Sequence, residues 1–160
     1  MALVLTASMN VVGVYSTSGD YAAHQPVNAA FPVSFLTGTG LNQGNVFAAA
    51  SAALAAAGVA SFDLNAAVDD AFGVQIALVK LKGLVVYNQS VTAGENLILA
   101  GNFCSVRLGL VDHAIGPSSF ASFVNPTGFT VTNSSADVIS ITNNNAGSVT
   151  YDILFWGNSA

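Results

Sequence analysis

SVTYDILFWG, residues 148–157, puts Val149, Tyr151, Ile153 and Phe155 on one parity and Thr150, Asp152, Leu154 and Trp156 on the other. Successive side chains of a strand point to opposite faces, so this run predicts a strand with one face in a core. DVISITN (137–143) alternates in the same way. VQIALVKLKGLVVYN (74–88) reads as one long bent strand or two short ones, with Gly83 allowing a kink or bulge. NLILA (96–100) and SVRLGLV (105–111) add two more, and Phe120–Val124 and Gly128–Thr132 bracket an Asn125-Pro126-Thr127 turn. Short strands at intervals of eight to twelve residues, punctuated by Gly, Asn and Pro, predict an all-β sandwich or barrel.

The first third differs. ALVLT (2–6), VVGVY (11–15) and FPVSFL (31–36) are short apolar pieces separated by turn residues, and Pro26 and Pro32 hold the residues before them extended. Residues 1–45 therefore read as an extended arm or edge strands, and 46–160 as the sandwich. Val46 to Phe62 is uncharged and mostly alanine. Alanine favours helix, but no apolar stripe emerges and Gly58 interrupts the run, which leaves strand the slightly preferred reading. Its hydrophobicity is too weak, and its basic flanks too few, for a membrane span. No basic residues precede the apolar start, so no secretory leader is expected.

Charge is the strongest compositional constraint. Only 7% of the residues are charged, where about a quarter is usual, and mean hydropathy is +0.61. Between Met1 and Ala60 the only charged side chain is Asp20, and the three basic residues are Lys80, Lys82 and Arg107. A net charge of −5 without clustered cations excludes a phosphate-neutralising surface. Ten Phe and four Tyr exceed what one small sandwich must bury. A greasy exterior with few ions suits the charge-depleted centre of a permanent interface, and closed symmetric oligomers bury such patches. The contact residues expected on this basis are Leu3, Val12, Phe31, Phe35 and Phe47, with Phe155 and Trp156 in core or interface.

Catalytic constellations do not assemble. Asp112-His113 lacks a GxSxG partner, and neighbours on a strand face apart; it reads as a surface pair. Phosphate loops, dinucleotide fingerprints and metalloprotease helices are absent from the sequence. The single cysteine, Cys104, reads as a buried small hydrophobe. Asp63, Asn65, Asp69 and Asp70 could offer oxygen ligands to calcium, but the EF-hand order fails and Asp63 as a turn cap is the simpler reading. The chain is expected to be no enzyme and to need no cofactor or metal.

Residues 61–90 carry Phe62-Asp63-Leu64, Asp70-Ala71-Phe72-Gly73, Val79-Lys80 and an apolar run from Val85 closing on Asn88; Ala136-Asp137, Ile141-Thr142-Asn143 and VTYDILFWGNSA (149–160) follow. In these motifs, over roughly residues 50–160, the chain resembles small structural proteins of tailed-bacteriophage virions. It departs from them at Gly116-Pro117, where a Pro-Gly-Gly type of turn is expected, and residues 1–45 match nothing in the group. The resemblance implies a jelly-roll-like β-sandwich acting as a head decoration (cement) protein. It would be a homotrimer bound to the major capsid protein on the outer capsid surface, without nucleic acid or membrane as partner. Two other readings stay open. One is a host-attachment or carbohydrate-binding module of a fibre or tail, using loop aromatics such as Tyr21 and Phe103. The other is a small single jelly-roll capsid protein, against which stands the lack of Lys or Arg from Met1 to Gln25.

Overall fold

A computed structural model describes residues 5–16, 24–66, 68–69 and 74–159, with side chains from Ser34 onward. The strands are β1 (Leu5–Ser16), β2 (His24–Thr37), β3 (Gln43–Gly44), β4 (Val46–Leu54), β5 (Val59–Asp63), β6 (Val68–Asp69) and β7 (Gln75–Ile76). They continue with β8 (Leu78–Asn88), β9 (Leu97–Ala100), β10 (His113–Ile115), β11 (Phe120–Thr130), β12 (Val138–Asn143) and β13 (Val149–Ser159).

Two four-stranded antiparallel sheets, β10-β9-β12-β5 and β11-β8-β13-β4, form a sandwich-like pair. The chain changes sheet at each step along β4, β5, β8 and β9, stays for β10, then alternates again through β11, β12 and β13. Val149, Tyr151, Ile153 and Phe155 of β13 are buried, as the alternation predicts, with Leu84 and Val86 of β8, Leu97 and Leu99 of β9, and Ile139 and Ile141 of β12. Burying each large apolar side chain is worth about 1.5–3 kcal/mol, and this shared core holds the sheets together.

The alanine-rich run settles as a strand. β4 pairs with β13 from Val46↔Gly157 to Leu54↔Val149, so sheet partners override the helical propensity of alanine. β8 is one long strand whose register with β13 skips Lys82, passing from Trp156↔Gly83 to Gly157↔Leu81. Gly83 is required there for space: a Cβ would lie 1.9 Å from Cζ2 of the Trp156 ring.

Two expectations need correction. SVRLGLV (105–111) is no strand: Cys104–Leu108 is a helical turn of π type, closed by Gly109 at φ 67° and by the Leu110 amide donating to the Cys104 carbonyl at 3.0 Å. The buried side chains of Phe103 and Cys104 anchor that turn, and a left-handed glycine reverses the chain where a strand would continue. Phe120–Val124 and Gly128–Thr132 are one irregular strand, β11, whose pairing with β8 breaks between Val124 and Phe129.

β1 and β2 form a long two-stranded ribbon, from Leu5↔Phe35 to Ser16↔His24, and β2 continues into a short parallel pairing with β3. Among the described residues no helix is long and apolar enough to cross a membrane, which leaves strand-built spans unaddressed.

Candidate functional site

The core-forming parity of β13 leaves Thr150, Asp152, Leu154 and Trp156 on the other side of the β11-β8-β13-β4 sheet. Partners in register extend this face across the sheet: Phe47, Ala49, Ser51 and Ala53 from β4, Gly83, Val85 and Tyr87 from β8, and Phe120, Ser122 and Val124 from β11. One end of the face is covered by the chain itself. Phe35, fully buried, meets Trp156 edge-on at 5.6 Å between ring centroids, a favoured aromatic geometry.

A polar latch holds that cover in place. Asn158 Nδ2 donates to the Thr39 carbonyl at 2.7 Å, and Asn45 exchanges hydrogen bonds with Ser159, donating from Nδ2 to Oγ at 3.1 Å and accepting from the Ser159 amide at 2.9 Å. Lys82 donates from Nζ to the Gly40 carbonyl. Its ammonium is buried, which lowers its pKa below the usual lysine value, and neighbouring Lys80 pushes in the same direction. Trp156 Nε1 and Asn158 Oδ1 are buried without a hydrogen-bond partner.

The rest of the face is open. Phe120 is 56% exposed and Val124 38%, and Leu36 and Leu41 near the latch are also exposed. Asp152 is the only carboxylate on it, and Gln89 Nε2 donates to it at 2.7 Å. Along the β4 border every residue from Ala49 to Ala53 is exposed, whichever way its side chain points.

Sequence-predicted contact residues fall in different places. Phe155 is in the core and packs edge-on to Phe62; Trp156 and Phe35 pack on each other; Phe47 is half-buried on the open face. Val12 and Phe31 lie in the β1–β2 ribbon, paired with Asn28 and Met9, with side chains outside the described set, and Leu3 lies outside the described residues. Phe103 corrects an expectation: it is fully buried, edge-on to Phe129, and offers no surface for a ligand.

Chemical sites do not gather. No group of three or more His, Cys, Asp or Glu that could hold a metal occurs among the described residues. Asp63 Oδ1 accepts from the amides of Asn65 at 2.9 Å and Ala66 at 3.1 Å, the turn cap expected of it. Asp69 is exposed on β6, and Asp70 lies outside the described residues. Asp137 is buried and held by Asn102 and the Ser134 amide. Asp112 and His113 are both exposed. Cys104 is fully buried, and desolvation pushes its thiol up to about 12, out of reach of nucleophilic chemistry at neutral pH. A hollow of about 260 Å³ between Ser90, Thr92, Glu95, Ser148 and Thr150 is polar and open, and Glu95 accepts from Ser90 Oγ at 2.5 Å.

Asn143 and Asn88 are buried organisers that sequence reading treats only as turn residues. Asn143 Nδ2 donates to the carbonyls of Leu54, Ala55 and Gly147 at 2.8–3.0 Å, tying the β4–β5 turn to the β12–β13 turn. Asn88 Nδ2 donates to Glu95 and Ile115. Their signal is position: each ends an alternating run on its apolar parity, where a polar residue must find partners.

No family model matches the chain, and no curated protein or solved structure matches it.

Proposed function

We propose that this chain is a non-enzymatic structural subunit of a virion: a jelly-roll decoration (cement) protein that oligomerises, as a trimer, on the outer capsid surface and bridges major capsid subunits. The observation that carries the reading is the open sheet face, with Phe120 and Val124 exposed and Asp152 its only carboxylate. Exposed apolar side chains on a sheet face with so few ions favour contact with other protein. The strand order supports it: two interleaved four-stranded sheets are the arrangement of double Greek keys, common in capsid and lectin domains. Residues 1–45 serve as an arm toward neighbouring subunits, with Phe35 on Trp156 fixing its root to the sandwich.

A subunit that binds only the assembled shell stabilises it by mass action. Adding the protein to shells that lack it is expected to raise their melting temperature and to carry the protein into the sedimenting fraction. Deletion of residues 1–30 is expected to abolish attachment or trimerisation. Free protein in the supernatant, with no shift in shell melting, contradicts the proposal.

A further inference from the structure

The strands that border the two sheets are unequally protected. A border strand offers unpaired N–H and C=O groups to any passing strand, and proteins blunt it by shortness, charge, proline or a bulge. β10 has three residues, preceded by Asp112 and opening on His113. β11 contains Pro126 and the register break between Val124 and Phe129. β5 has five residues and runs into the carboxylate of Asp63. β4 has none of these devices. It is nine residues long, regular in register with β13, and free of charge, proline and glycine.

We propose that β4 pairs antiparallel with β4 of a second copy of this chain, about a two-fold axis through Ser51. That register sets Ser51 opposite Ser51, Ala50 opposite Ala52 and Ala49 opposite Ala53, the run exposed in a single copy. A second copy fits because the run is closely self-complementary about its own centre: small residues meet small residues, and one Ser51 hydroxyl donates to the other. Charge offers no reason to select a different partner, since β4 carries none to complement. Nor does charge oppose self-pairing. Asp152, opposite Ser51 on β13, would stand three strand spacings from its counterpart, roughly 14 Å, beyond the Debye length of about 8 Å at physiological salt.

Pairing of two alanine-rich borders covers far less than the roughly 1,200–2,000 Å² of a stable complex. The contact is therefore weak in dilute solution and takes hold where copies are crowded. In this it extends the reading of the chain as a shell-bound subunit, joining neighbouring oligomers rather than building one.

The test is full-length Ser51→Cys, oxidised at high protein concentration and run on a non-reducing denaturing gel, with the exposed loop variant Thr92→Cys as control. Directly opposed strand residues lie about 4.5–5.5 Å apart at Cα, within disulfide range, and the buried Cys104 stays silent. A covalent dimer forming at least tenfold faster than in the control is expected. Ser51→Lys should lose concentration-dependent association between oligomers while keeping its thermal midpoint. Cross-linking no faster than the control, or association unchanged in Ser51→Lys, overturns the proposal. A cross-link without attachment to any shell would uphold the pairing and remove the virion reading; attachment without a cross-link would do the reverse.

Discussion

Cys104 shows how a single side chain reports the packing around it. Its thiol is fully buried, and desolvation raises it from 9.0 to about 12. A group whose pKa is raised in the folded state keeps its proton there while the unfolded chain releases it, so stability falls as pH rises through the window between the two values. Between about pH 9 and 12 this single proton contributes a slope of about −1.4 kcal/mol per pH unit. Tyr151, also raised by burial, acts in the same direction above its ordinary 10.0. Lys82, lowered by burial, acts in the opposite direction below its ordinary 10.5. Urea unfolding across this range is expected to show falling stability in the wild type and a shallower fall in Cys104→Val; equal slopes would contradict the burial. At this scale Cys104 was legible, because a free cysteine is commonly a buried small hydrophobe. The packing of Phe35 on Trp156 was not, since it joins residues at opposite ends of the chain with no local pattern between them.

Among elements, alternation carried the most information where one face was buried. β12 follows it throughout and β13 as far as Phe155, beyond which Trp156, Gly157 and Asn158 are all buried. SVRLGLV failed because alternation without length is ambiguous: Gly109 takes a left-handed conformation that turns the chain. β4 was difficult for a different reason. Its exposed alanines encode no face, and only the pairing with β13 makes it a strand. The β4–β5 turn is then set by Asn143, whose amide serves three donor–acceptor contacts across two turns. Asn143→Ala should remove these three hydrogen bonds, leaving Ser148 Oγ as the side-chain donor to the Leu54 carbonyl, and cost about 1–3 kcal/mol, read as a lower denaturation midpoint with m unchanged. A loss under 0.5 kcal/mol would contradict the tie.

For the whole molecule, two physical facts act together. The sandwich has a sufficient core of its own, so the chain folds without staples. Its exterior is nonetheless almost without ions, open along β4 and apolar around Phe120 and Val124. Fold class could be read from the sequence because strand period and turn chemistry are local. The open face could not be located, because it depends on which strands sit side by side.

Sedimentation equilibrium of the intact chain, over a hundredfold range of concentration, weighs the account most directly. Self-association to a defined multiple of the 16.2 kDa chain is the predicted result; a mass that stays at one chain throughout, in a solution that remains clear, contradicts it.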